Sequence, residues 1–357
     1  MKRFVLSMLS VFCCLALLLC GCGGADTSDN LSSSDAASTD ASDTAKTGYY
    51  NNLTGLYELD SKEKESARPL AVMINNITIA QKVQTGLKSA SIVYETFVEG
   101  GITRLMAVFK DSASIPQLGS LRSARYSYVD LACGHDAVYV HAGLDPNYCK
   151  AYMDELNLDD YDLNTGYGAP YQFRVNNGLA TEHTMFSNGE LLAAAMKDAN
   201  RRMTVDEKHA GAWANFADED VSVKPSGDDA QNVSVYFSGS YVTNFAYDSD
   251  LGLYKKSNRG TPCVDADSGD VYSYKNVFVL FTNVGRFSDN YRMYSELNGG
   301  EGYYICNGKY QPITWSKGGT YDSFRFMDES GNDLTVNAGN SYVCITDKDL
   351  KQKTTIG

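Results

Sequence analysis

The sequence predicts a mixed α/β protein, with an N-terminal α/β domain followed by a mostly-β C-terminal domain. Three observations carry that expectation. Between residues 67 and 216, short apolar runs of strand type alternate with helical patterns, the signature of a mixed α/β layer. From residue 231 onward nearly every signal is strand and turn. Between the two, residues 217–230 are acidic and contain Pro225-Ser226-Gly227, the composition of a linker.

The elements follow in chain order. Met1-Lys2-Arg3 and the apolar run Phe4 to Cys20 form the charged start and apolar core of a secretory signal over residues 1–21. Leu19-Cys20-Gly21-Cys22 is similar to a lipobox, and that similarity implies cleavage after Gly21 and lipidation of Cys22. From Gly23 to Thr47, 20 of 25 residues are Ser, Thr, Asp or Ala. Such a stretch cannot bury enough apolar surface to offset its ordering entropy, so residues 22–66 are expected to be a lipidated Cys and a disordered tether. In the N-terminal domain, Leu70–Ile74, Ser91–Val98, Thr103–Phe109 and Ala137–His141 read as strands. The middle two are joined by Glu99-Gly100-Gly101, which reads as a hairpin. Helices are expected after Ser120 or Ser123, over 147–156 behind Asp145-Pro146, and over 191–199 behind a capping box at Ser187–Glu190. In the C-terminal domain Asn307-Gly308 is the strongest hairpin signal, and Pro312 places its strand at an edge.

Composition narrows the function classes. With 31 Lys+Arg against 44 Asp+Glu, the chain carries a net charge of −13 and has no basic run. A nucleic-acid partner is therefore not expected, because phosphate backbones require a cationic surface. There is no HExxH or Cys/His pairing and no Walker or Rossmann glycine loop, so neither a metal nor a cofactor is expected. Cys133, Cys149, Cys263, Cys306 and Cys344 remain after the signal and Cys22, an odd number without a CxxC. They read as small buried hydrophobes, with a Cys133–Cys149 bridge left open.

Several longer motifs carry a resemblance. Tyr94-Glu-Thr-Phe-Val-Glu-Gly-Gly-Ile-Thr-Arg104, Leu118-Gly-Ser-Leu-Arg-Ser-Ala-Arg125, Asp136-Ala-Val-Tyr-Val-His-Ala-Gly143 and Glu182-His-Thr-Met-Phe-Ser187 resemble the YerB-like lipoprotein family. Tyr254-Lys-Lys-Ser-Asn-Arg-Gly-Thr-Pro262, Lys275-Asn-Val-Phe-Val279 and Trp315 with its Gly-rich turn resemble that family's C-terminal half. Ser120, Thr184 and Cys263 depart from the expected Pro, Asn and His. The resemblance implies a two-part α/β architecture and an extracytoplasmic lipoprotein held at the cell membrane by the lipid on Cys22. It implies no particular activity.

The polar residues inside these motifs supply the candidate site. Strand alternation puts Glu95, Phe97 and Glu99 on one face, with Arg104 able to fold back toward either carboxylate. Arg122 and Arg125, three apart at a helix start, would share a face beside the positive end of the helix dipole, a place that calls for an anion. The anion is either an internal carboxylate such as Glu99 or Asp130, or an external carboxylate or phosphate. Ser123 lies between the arginines. His141 ends a strand just before Gly143, and His183 precedes a capped helix. Two functions follow. The preferred one is an envelope lipoprotein binding an anionic envelope component or a protein partner through Arg104, Arg122, Ser123, Arg125 and His183. The other is a metal-independent hydrolase or transferase acting on a cell-wall polymer, with Glu95, Glu99 and His141 as catalytic groups.

Overall fold

Strands whose residues are apolar on both faces dominate the architecture, which a computed structural model describes for residues 46–357. The expected signal sequence, Cys22 and the expected tether as far as residue 45 lie outside the described residues. Ten strands form one sheet: β1 (Leu70–Ile74), β2 (Ile92–Phe97), β3 (Thr103–Phe109), β4 (Val138–His141), β5 (Asp160–Asp162), β6 (Asn276–Thr282), β7 (Gly299–Cys306), β8 (Lys309–Ser316), β9 (Arg325–Met327) and β10 (Ser341–Asp347). Their order is 9-8-7-6-10-2-3-1-4-5. The seam between the two regions of the sequence is the parallel pair β10–β2, with Ser341 opposite Ile92 and Cys344 opposite Glu95. The central sheet thus crosses the boundary expected at 217–230. The physical reason lies in β2, β6 and β10, which are buried along almost their whole length. Strands without a polar face need cover on both sides and hydrogen-bonded neighbours at both edges.

That cover differs between the two faces. One face carries Val72, Val93, Phe97, Val277, Val279 and Tyr342. It packs beneath a second sheet containing the antiparallel strands Asn232–Ser238, Tyr241–Asp248 and Leu253–Asn258, which supply Val233, Val235, Phe245 and Tyr254. The other face carries Met73, Tyr94, Met106, Phe278 and Val343 beneath helices α1 (Tyr126–Cys133) and α2 (Cys149–Leu156). A third helix, α3 (Gly189–Asp198), adds Leu192, Ala195 and Met196 to the first core.

The predicted fold class needs one correction. Strand accounts for 38% of the described residues and helix for 19%, and the N-terminal region is not dominated by an α/β alternation. Its connections are too short and too often broken by Gly, Pro and Asn to hold helices longer than two or three turns. Individual elements fared differently. The Glu99–Gly101 hairpin forms, pairing Phe97 with Thr103 and placing Gly100 and Gly101 at φ of 75° and 72°. Asn307-Gly308 turns β7 into β8, with both residues at positive φ. Pro312 does not make β8 an outer strand, because β9 pairs with Thr314–Ser316; Pro312 lies beyond that pairing, where no N–H is needed. Asn188, not Ser187, caps α3, its side chain accepting from the Leu191 N–H at 2.9 Å. The disorder expected up to residue 66 is not found from Tyr49 onward. Tyr49–Asn51 and Leu56–Leu59 pair, and Lys62–Glu65 is a helical turn. This stretch has the apolar residues that Gly23–Thr47 lacks, and Leu53 and Leu59 are buried.

Two antiparallel steps separate β1 from β2 through β3, so β1 and β2 run the same way, and β4 and β5 run parallel to β1. The carboxyl ends of four strands therefore meet at one edge. In open sheets that edge is where ligands bind.

Candidate anion-binding site

The segment from Leu118 to Arg125 crosses the carboxyl ends of β1 and β4. The Arg122 N–H donates to the Met73 carbonyl at 2.9 Å, and the Arg122 carbonyl accepts from the Ala142 N–H at 3.0 Å. The segment is extended where a helix start was expected. Helix α1 begins at Tyr126, with Arg125 in the capping position. Arg122 and Arg125 consequently do not share a helical face. The backbone hydrogen bonds to the two neighbouring strands outcompete helix initiation, and they bring the arginines together by strand crossing instead.

Arg104 lies beneath them on β3. It is buried, and its guanidinium donates to the Ser123 carbonyl at 2.6 Å; it makes no salt bridge with Glu95 or Glu99. Burial lowers its pKa to about 9, helped by the Arg125 and Arg122 charges and opposed by Glu99. Arg122 is half-buried, and desolvation lowers its pKa, against the pull of Glu182. Its Nε is fully buried without a hydrogen-bond partner. Arg125 donates from Nε to Glu99 Oε1 at 2.6 Å and from Nη1 to its neighbour's carbonyl, that of Ala124, at 2.8 Å. Among the described residues, Glu99 is the one carboxylate within salt-bridge distance of any of these three arginines. Glu99 sits in the turn after β2, so strand alternation no longer governs it and it does not share the Glu95 face.

The remaining predicted residues divide between this cluster and the interior. Ser123 is half-buried, and Gly143, at φ of 77°, leaves room beside it: a Cβ there would come within 3.4 Å of the Ser123 Oγ. His141 is buried, with Nδ1 2.9 Å from the Gly143 carbonyl and Nε2 3.1 Å from Asp160 Oδ2. Each ring nitrogen lies against an oxygen of the protein itself. His183 is buried against the Asn75 side-chain amide at 2.8 Å, which fixes the loop above Arg122. Glu95 is the clear departure from expectation. Its Oε1 accepts from Asn76 Nδ2 at 3.1 Å and Thr103 Oγ1 at 2.6 Å. Its Oε2 accepts from Thr243 Oγ1 at 2.8 Å and the Tyr342 hydroxyl at 2.6 Å. A carboxylate closed in by four donors between two sheets has no route to substrate, so the catalytic role expected of it finds no geometric support.

Sequence reasoning passed over Asn75, Asn76 and Ser120. The available signal was a polar pair directly after Leu70–Ile74, a strand buried along its whole length. Polar residues at that point mark the carboxyl edge of a sheet. Ser120 Oγ is buried without a partner, two residues from Arg122. Among the described residues, one group could hold a metal by its ligand atoms, Asp136, Asp206 and His209, within 4.8 Å of one another. Arg202 already occupies the Asp136 carboxylate with two contacts of 2.6 Å, and Arg68 lies 3.5 Å away. That donor set is neutralised by guanidinium groups and is a poor fit to a cation. The five described cysteines are free thiols, so the Cys133–Cys149 bridge is not formed.

Comparison with known proteins agrees with the fold. Residues 53–202 match the family described as Protein of unknown function (DUF3048) N-terminal domain, and residues 233–343 match its C-terminal domain. The chain is 27% identical over 274 residues to YerB of Bacillus subtilis (strain 168), a protein whose name calls it a lipoprotein; the match covers 74% of this chain and 77% of that one. The crystal structure of the YerB protein from Bacillus subtilis superposes with a TM-score of 0.73 at 22% identity, covering 86% of this chain and 99% of that one.

Proposed function

For a chain that belongs to the DUF3048 family, we propose a role as an extracytoplasmic lipoprotein that binds an anionic component of the cell envelope at the Arg104–Arg122–Arg125 cluster. Anchoring would come from the lipid on Cys22. The observation that carries the reading is the arginine balance: three guanidinium groups against one paired carboxylate, with a buried Arg122 Nε that has no acceptor. A buried charged donor without a partner costs several kcal/mol of solvation, and a phosphate or carboxylate oxygen would recover it (roughly 1–3 kcal/mol per charged hydrogen bond). Arginine suits such an oxyanion better than lysine because its planar fork offers two parallel donors. The fold supports the same place, the carboxyl edge of four parallel strands. The hydrolase or transferase alternative lacks comparable support, since Glu95 and His141 spend their polar atoms on the protein itself.

The test is a thermal-shift titration of the full mature chain with inorganic phosphate, glycerol phosphate oligomers and muropeptides. At least one of them should raise Tm. Arg122→Ala should leave stability within about 1 kcal/mol, because it relieves repulsion from its neighbours, and should abolish the shift. A shift that survives in Arg122→Ala, or the absence of any shift, would remove the anion-site reading. Membrane attachment is tested separately, by fractionating Cys22→Ala: it should leave the membrane while unfolding as the wild type does.

A further inference from the structure

Lys256 and Cys263 form a buried pair with no part in the arginine site. Lys256 lies on the strand Leu253–Asn258 and is 2% exposed; Cys263 follows the outer two-residue strand Thr261–Pro262 and is 4% exposed. Lys256 Nζ donates to Cys263 Sγ at 3.3 Å, and among the described residues that sulfur is its one hydrogen-bond acceptor. The two residues are held in register by the Cys263 N–H, which donates to the Lys256 carbonyl at 3.1 Å. A buried ammonium ordinarily finds carboxylates or several carbonyls, so a thiol as sole acceptor is an unusual choice.

We infer that this pair is an oxidation site, at which peroxide converts the Cys263 thiol to a sulfenic acid that the Lys256 amine then captures as a sulfur–nitrogen cross-link. In the first step the sulfur loses two electrons to hydrogen peroxide: the O–O bond breaks, an S–O bond forms and water leaves. The second step is a condensation without net oxidation. Nitrogen attacks sulfur, the S–O bond breaks, and the hydroxyl departs as water with one ammonium proton. The second proton leaves to bulk water as the edge strand opens. The product leaves no ammonium in the interior, which favours it over a free sulfenic acid. Sulfenic acids condense with nearby nitrogen in this way. Access is provided at the sheet margin, because Thr261 and Pro262 are both exposed and edge strands open locally at low cost.

The experiment treats the full chain with hydrogen peroxide, digests it with trypsin and sequences the products by tandem mass spectrometry. The expected product joins Lys256 to Cys263, is lighter than the two unmodified residues by two hydrogens, resists cleavage after Lys256 and reverts with dithiothreitol. Cys344→Ser should give the same product, and Lys256→Arg should not. A Cys263–Cys344 disulfide, a sulfinic or sulfonic acid at Cys263 beside a free Lys256 amine, or an unmodified Cys263 once surface methionines are oxidised would each overturn the inference. The wild-type spectrum decides the matter even if a variant fails to fold.

Discussion

Glu95 and Glu99 stand four residues apart in one motif, yet they occupy opposite kinds of environment. Glu95 lies between the two sheets, where four neutral donors saturate its oxygens. Glu99 lies at the sheet edge under Arg125 and within the field of Arg104. A saturated carboxylate in a dry interface holds the fold together. A carboxylate outnumbered by arginines leaves positive charge available to something else. Residue type and spacing do not separate these roles; what lies on the remaining lone pairs does.

The largest expected effect comes from opening the closed side. Glu95→Ala would strand Lys256 and leave the Tyr342, Thr243, Thr103 and Asn76 donors unpaired, so it should cost roughly 3–5 kcal/mol in urea unfolding. A cost under about 1 kcal/mol would show that the interface does not depend on this carboxylate. Acid should weaken the interior nearly as much. His135 is buried against the Tyr94 hydroxyl at 2.7 Å, and burial lowers its pKa from 6.5 to about 3. A histidine kept neutral by folding contributes its stability above the unfolded pKa. That contribution fades as pH falls from 6.5 toward 3, by about 5 kcal/mol at most. His135→Gln should flatten this limb of the stability–pH curve, and an unchanged slope would assign acid sensitivity to other groups.

The open side should respond more weakly in stability and more strongly in binding. Arg125→Ala removes the partner of a buried Glu99 but leaves Arg104 nearby, so the cost should be about 2 kcal/mol, between that of an exposed pair and that of a fully buried one. Glu99→Gln should have the smallest effect on folding. It should increase the phosphate-induced Tm shift, because it removes the internal competitor for the same cations. A smaller shift in Glu99→Gln than in the wild type would mean that Glu99 organises the site rather than competing in it.

Much of this was legible before the fold. The hairpin at Glu99–Gly101, the turn at Asn307-Gly308 and the arginine run at 122–125 follow from local chemistry, namely positive φ at glycine and the cost of like charges close together. The helix start at Ser120 or Ser123 was misread because the backbone of that segment is satisfied by Met73 and Ala142, residues about 50 and 20 positions away. The face of Glu99 was misread because strand alternation ends at Phe97.

By itself, the sequence determined that strands dominate the C-terminal part, that a low-complexity segment precedes the globular chain, and that arginines cluster near a strand-to-helix transition. Each depends on the composition or periodicity of neighbouring residues. Only the tertiary structure decided that β2 and β10 join both regions into one sheet, that Glu95 is an interface residue, and that Arg104 lies beneath Arg122 and Arg125. Those outcomes depend on pairings across as many as about 250 residues. Burial on both faces made a long-range partner necessary for β2, while nothing local specified which strand it would be.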